Sequence, residues 1–212
     1  TYDESWFAPR DPGLGTVLVM LGVEGEIPEL AHHNFLFSDD WSNDFDAVFN
    51  GPVASRPQAA SQSIYVSKPS ATDPSVAPAG HENLFVLVPV PADPSVGHGD
   101  MYRGEASEQV QRIADAAIEQ IAARCGVAGL GRRIVVKQTL GPADFAERYN
   151  AWSGGSIGPA HTLRQSAFLR GSNKSRKLDT LMYAGATTTP GVGVPMCLIS
   201  AENVLKRVRG DR

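Results

Sequence analysis

The sequence predicts an α+β fold in which strands and helices are mixed without regular alternation. Two runs of β-branched and aliphatic residues, at 16–21 and 84–90, read as buried strands. Between residues 105 and 125, apolar side chains instead recur at steps of three and four, the period of an amphipathic helix. There is no internal repeat and no steady βαβ order, so an isolated doubly wound sheet is not what this region encodes.

The first strand, Thr16-Val17-Leu18-Val19-Met20-Leu21, lies between glycine and proline punctuation, and a second is expected over 32–37. After Ser38-Asp39-Asp40 a short helix spans 41–49, with Trp41, Phe45, Val48 and Phe49 spaced as one face, until Asn50-Gly51-Pro52 stops it. Strands follow at 63–66 and 84–90. The stretch 68–80 between them holds Pro69, Pro74 and Pro78 and must be loop. In the helix over 105–125, Val110, Ile113, Ala114, Ala117, Ile118, Ile121 and Cys125 form the apolar face; Glu108, Arg112, Asp115 and Glu119 fill the other, and Gly126 caps the end. Residues 133–139 alternate as a strand, and Gly141-Pro142-Ala143-Asp144 opens a short helix reaching about Asn150. Then come a glycine-rich loop at 152–159, a short strand at 181–184, a glycine-punctuated turn at 185–193, and a last helix from Pro195 to about Arg209.

With 212 residues, 42% hydrophobic and 20% charged, the composition is that of a globular chain long enough for one large domain or two small ones. The longest apolar run has seven residues, far below the ~20 of a membrane-spanning helix. The start, Thr1-Tyr2-Asp3-Glu4, lacks an initiating Met and signal-peptide character and reads as a cut or processed end with further chain before it. Cys125 and Cys197 stand far apart without ligand spacing, which argues against a disulfide framework or zinc site and fits a reducing cytoplasm. A net charge of −4 gives no basic field for nucleic acid, so none is expected as a partner.

The most informative stretch runs from Leu181 to Met196: a strand, a turn containing Gly185, Gly191 and Gly193, and a helix with Pro195 in its first turn. Glycines permit positive φ and close backbone approach to a ligand. The free N–H groups at the helix start favour negative charge, such as a pyrophosphate or the anionic edge of a reduced flavin. A helix start that simply needs a tight turn reads the same residues without a ligand. No GxGxxG fingerprint completes the pattern.

This stretch is similar to the C-terminal flavin motif of CrtI-type carotenoid (phytoene) desaturases, which read Gly-Ala-Gly-Thr-His-Pro-Gly, then Gly-x-Pro and a helix. Gly185, Ala186, Thr188, Pro190, Gly191, Gly193 and Pro195 stand at matching positions, whereas Thr187 replaces a glycine and Thr189 the histidine. Any role of that histidine is therefore not carried over. Upstream, Leu30-Ala31-His32-His33-Asn34, the block from Lys68 through Asp73-Pro74 to Gly80, and Val86-Leu87-Val88-Pro89-Val90-Pro91 resemble the family's substrate-domain landmarks in the same order. Leu163-Arg164-Gln165-Ser166-Ala167-Phe168-Leu169-Arg170 with Asn173 resembles its Gln-Ser-Ala-x-x-Arg-Pro-x-Asn segment, with Gly171 in place of proline.

The resemblance implies a substrate-binding domain over 1–155, of mixed sheet and helices, and over 156–212 the C-terminal piece of an incomplete, Rossmann-like FAD-binding domain whose N-terminal half is missing. It implies FAD as cofactor, contacted by backbone groups of Gly185, Ala186, Gly191, Val192, Gly193 and Val194, and a long apolar polyene such as phytoene as substrate. It further implies a cytoplasmic enzyme peripheral at the membrane. No catalytic acid or base is named. Two other readings stay open: a half that is silent without an N-terminal partner, and an amine-oxidase-like or retinoid oxidoreductase relative.

Other candidates weigh less. His32 and His33, as strand neighbours, are expected to point to opposite faces and so not to share a metal. Asp73 before Pro74 reads as a turn former rather than a base. Ser166 has no GxSxG elbow and no sequence-identifiable His and Asp. Gly154-Gly155-Ser156 fits either a flat-ligand lining or a flexible loop. Arg164, Arg170, Lys174, Arg176 and Lys177, with Lys206, Arg207 and Arg209, suit either anionic lipid headgroups or a solvated surface.

Overall fold

The computed structural model describes residues 2–52 and 59–210. The chain divides into two compact units, Leu14–Ser156 and a smaller one that joins Thr1–Gly13 to Ile157–Arg212.

The larger unit is built on a five-stranded antiparallel sheet. β1 (Leu14–Glu24) lies between β4 (His81–Pro91) and β5 (Ile134–Leu140); β3 (Ile64–Ser67) and then β2 (His33–Leu36) extend the sheet beyond β4. β1 and β4 pair along their whole length, from Leu14 opposite Pro91 to Glu24 opposite His81. Period-2 alternation puts Val17, Val19, Leu21 and Val23 on one face with Leu84, Val86, Val88 and Val90, all buried. β3 pairs only as far as Leu87, so Pro89 and Pro91 lie beyond the last β3–β4 rung, where a missing N–H breaks no pair.

The helix α3 (Glu108–Cys125) covers that buried face with Val110, Ile113, Ala114, Ala117, Ile118 and Ile121, and ends at Gly126 in the left-handed conformation, as expected. It starts three residues later than its periodicity suggests. Ser107, at the N-cap, donates its hydroxyl to the His98 carbonyl instead of extending the helix. A single turn, α4 (Leu130–Arg133), leads into β5, and α5 (Pro142–Tyr149) follows it, with the Asp144 carboxylate accepting from Gly99 and Gly141 amides at 2.7 and 2.9 Å.

The helix α2 (Trp41–Phe49) forms where expected but turns a different face inward. Asp44, Ala47 and Val48 are buried, whereas Trp41, Phe45 and Phe49 are each about half exposed. The reason is polar. Asp44 accepts hydrogen bonds from the Ser61 hydroxyl and the Gln62 amide, both at 2.6 Å, and this pins its side of the helix to the sheet.

In the smaller unit, Asp3 caps one turn, α1 (Glu4–Phe7), that the sequence did not suggest. The helix α6 (Val194–Arg209) is the only element of any length there among the described residues. The strand expected at 181–184 reduces to one bridge, between Met182 and Lys174. Two backbone bonds, Tyr183 N to Asn173 O and Ser175 N to Leu181 O, close a ribbon too short to propagate.

Candidate functional site

Two features bear on ligand binding, one in each unit. In the larger unit the sheet's outer face, opposite α3, is apolar. Leu18 stands opposite Leu87, Met20 opposite Phe85 on one side and Gln138 on the other, and Gly22 opposite Val136. Over one end lies the proline-rich 68–80 segment, leaving a cavity of about 730 Å³ lined by Met20, Tyr65, Val76, Pro78, Phe85 and Val136. His81, Glu82, Asn83 and Gln138 add polar groups to walls that are otherwise mostly aliphatic and aromatic, and such a volume suits a largely apolar ligand recognised by shape.

The 68–80 segment is loop with two single turns, as its prolines require, and it is anchored firmly. Lys68 is buried, donates from Nζ to the Ile27 carbonyl at 2.6 Å and lies 3.6 Å from the Glu82 carboxylate. Glu82 also accepts from the Ser70 hydroxyl. Burial pushes the Glu82 carboxyl up, but the Ser70 and Ile27 hydrogen bonds and the Lys68 charge outweigh it and hold the carboxyl below its ordinary range. Glu82 is thus an ionised anchor at the cavity wall. Neither Lys68 nor Glu82 stood out in the sequence, because a buried ion pair has no local spacing signal.

In the smaller unit three buried polar side chains bind backbone groups, and two of them, Asn173 and Arg170, hold the glycine-rich turn. Gln165 brackets Asp11, accepting from its amide and donating to its carbonyl, both at 2.9 Å. Asn173 donates to the Ser200 hydroxyl at 2.9 Å and to the Tyr183 carbonyl at 3.1 Å. Arg170 is 4% exposed. Its Nε donates to the Ala186 carbonyl (2.7 Å), Nη1 to those of Pro159 (2.8 Å) and Gln165 (3.2 Å), and Nη2 to that of Ile157 (3.2 Å). Membership in a basic cluster gave no hint of this, since composition cannot separate a buried cation from solvated ones. The block Gln165–Arg170–Asn173 was visible; its clamping role was not.

The six residues expected to contact flavin differ in what they offer. Gly185 and Gly193 have positive φ, +120° and +113°, and a Cβ at Gly185 would meet no atom within 4 Å. At Gly193 it would meet only Met196 Cγ, at 4.0 Å. The backbone at Gly193 is therefore approachable; at Gly185 the side is open, but the amide donates to Ser200 Oγ and the carbonyl accepts from Thr188. Gly193 N-caps α6 without any side-chain cap, and Val194 is exposed. Gly191 is buried, and a Cβ there would lie 3.0 Å from His161 Cε1, so its lack of a side chain serves close packing. The Ala186 carbonyl is taken by Arg170, while Val192 is half-buried. A turn with two open glycines beside an uncapped helix start fits the anionic parts of FAD.

Thr189, at the family's histidine position, donates its hydroxyl toward the Ala167 and Gly171 carbonyls, both at 3.2 Å. Gly171, at the family's proline position, bridges Thr188, and a Cβ there would fall 2.8 Å from the Thr187 carbonyl oxygen. The close approach explains the glycine.

The remaining candidates resolve as follows. His32 and His33 do not diverge as strand neighbours would, because β2 begins only at His33; their ring centroids lie 4.2 Å apart. They bond separately, His32 to Thr72 at 2.6 Å and His33 to Tyr65 at 2.7 Å. Among the described residues no group of three or more His, Cys, Asp or Glu could hold a metal. Asp73 caps the turn Pro74–Val76 by accepting from the Ser75 amide. Ser166 donates to the Thr162 carbonyl. Gly154 lines no open space: a Cβ there would fall 2.5 Å from the Pro142 carbonyl oxygen.

No family model matches the chain. The carotenoid 3,4-desaturase of Haloarcula japonica is 42% identical to it over 210 residues, which cover 99% of this chain and 40% of that protein. The chain is a homologue of the CrtI-family carotenoid desaturases. The 4,4'-diapophytoene desaturase (4,4'-diaponeurosporene-forming) of Staphylococcus aureus strain Newman is 32% identical over 202 residues, 95% of this chain and 39% of that protein. This desaturase homologue thus spans about 40% of the length of the curated relatives it matches. Among its described residues no helix is long and apolar enough to cross a membrane.

Proposed function

We propose that the full-length protein is an FAD-dependent desaturase that dehydrogenates a long apolar polyene of the phytoene or carotenoid class. In this reading residues 1–155 bind the polyene, and 156–212 are the C-terminal portion of a Rossmann-like FAD-binding domain whose N-terminal half lies outside this chain. The observation that carries it is the apolar outer face of the sheet, with its cavity of about 730 Å³. A hydrocarbon offers no hydrogen-bond handles, so binding must come from buried apolar area, roughly 25 cal/mol per Å².

Bound FAD supplies the hydride acceptor. This chain's own part is to hold and exclude. Met20, Phe85 and Val136 bind the polyene and keep water from it, the anchored 68–80 segment fixes the wall, and backbone groups around Gly185 and Gly193 meet the cofactor. Lys174, Arg176, Lys177, Lys206, Arg207 and Arg209 would face anionic headgroups at a membrane surface; Arg170, being buried, would not.

A second reading, that this chain alone is silent and works with an N-terminal flavin-binding half, is favoured by α6. That helix leaves Val194, Leu198, Leu205 and Val208 exposed in one stripe.

The test is a single turnover without air. Phytoene in liposomes added to the full-length, FAD-loaded protein should bleach the oxidised-flavin absorbance and shift the polyene spectrum to longer wavelength. A flavin that stays oxidised with phytoene and with its partly desaturated relatives would contradict the assignment.

A further inference from the structure

We infer that the buried charge of Arg170 acts on the negative charge of the bound flavin cofactor, in addition to clamping the turn. The inference rests on the flavin reading above and concerns a residue that reading leaves without a functional role.

The three buried polar side chains of this unit do similar hydrogen-bonding work, yet only one is charged. Gln165 and Asn173 bind backbone groups through neutral amides. Arg170 satisfies four carbonyls in the same way, at 4% exposure. Carbonyl dipoles solvate a guanidinium but do not neutralise it, and burying a charge without a counterion is costly. Among the described residues no carboxylate lies within 4 Å of the Arg170 guanidinium; His161, which feels the Arg170 charge, has its pKa held down by burial and then by that charge, and an imidazole brings no negative charge to compensate it.

Position supplies the rest. The guanidinium is bonded to Ala186, inside the turn, and Arg170 Cδ lies 3.8 Å from where a Gly191 Cβ would be. The same turn presents the open sides of Gly185 and Gly193 and the uncapped start of α6. Fixed positive charge, helix start and approachable backbone therefore converge on one segment. The chemistry that completes it is an anion, and FAD carries two: its diphosphate and its reduced ring.

The test alters the charge without removing the clamp. Gly158 sits at φ +70°, with a would-be Cβ 3.3 Å from Arg170 Nη2. Asp and Asn tolerate that conformation better than other side chains. In the full-length protein, Gly158→Asp sets a carboxylate against Arg170, while Gly158→Asn repeats the shape without the charge. Gly158→Asp should bind FAD about tenfold more weakly than Gly158→Asn, or hold it at a lower midpoint potential. Weaker binding alone locates the diphosphate, and a lower potential locates the ring. Arg170→Lys should stay nearer the unaltered protein than Arg170→Met in the same measurement. Equal affinity and equal potential for the Gly158 pair would overturn the role of Arg170 while leaving the flavin reading intact. An unaltered full-length protein that binds no FAD would overturn both.

Discussion

Asn173 and Ser200 meet amide to hydroxyl at 2.9 Å, at the centre of the contacts that fasten the turn before α6 to the buried side of that helix. Ser200 is fully buried; its hydroxyl also accepts from the Gly185 amide at 3.1 Å and lies 2.9 Å from Thr188 Oγ1. Ser200→Ala should therefore leave the Gly185 amide and Asn173 short of a partner and destabilise the protein by about 1–3 kcal/mol. Denaturant unfolding measures the loss, and hydrogen exchange at the Gly185 amide should quicken. Unchanged protection there would mean the hydroxyl is not the anchor.

Asp44 predicts a pH dependence. Burial raises its pKa, but hydrogen bonds from Ser61, Gln62 and Ser63 prevail and hold it below its ordinary value. A depressed folded-state pKa stabilises fully above the unfolded value of about 3.9 and is lost as pH falls through the folded value. Asp44→Asn should cost about 1–3 kcal/mol at neutral pH. The gap between the two proteins should narrow below about pH 4. Thermal unfolding at several pH values gives the comparison, and a gap that widens in acid would show the sign to be wrong.

Much of the fold was legible because burial leaves a period in the sequence. β1 and β4, apolar along their runs, and α3, apolar on one face, stand where their patterns place them. Periodicity failed where a polar contact decided direction. In α2, Trp41, Phe45, Val48 and Phe49 are spaced as one face, yet of these only Val48 is buried, beside Asp44 and Ala47, because the Asp44 hydrogen bonds set the helix's orientation. The candidate site was legible as a turn and as a resemblance, not as a mechanism of support. Nothing local distinguishes Arg170, wrapped in carbonyls, from Arg176, or reveals that Lys68 reaches Glu82 across fourteen residues.

The outer sheet face predicts a separation of stability from substrate use. Phe85 is only half-buried, opposite Met20 at the cavity. Phe85→Gln should cost no more than about 3 kcal/mol, short of what a fully buried Phe loses, and leave the protein folded. In the full-length protein it should weaken polyene use severalfold, read as a higher KM with liposomal phytoene. A large stability loss with unaltered KM would place Phe85 in the core rather than at the ligand.

In the proposed function the turn before α6 presents its backbone to flavin, and Gly193 tests that most directly. A methyl group at that position meets only Met196 Cγ, at 4.0 Å, although φ +113° strains any side chain there by about 1–3 kcal/mol, so unfolding stability is measured beside FAD affinity. Measuring FAD dissociation from the full-length protein and from Gly193→Ala, with helix content followed by circular dichroism, should show a folded variant that binds at least about tenfold more weakly. Equal FAD affinity in the two folded proteins, or no FAD binding by the unaltered one, would contradict the account.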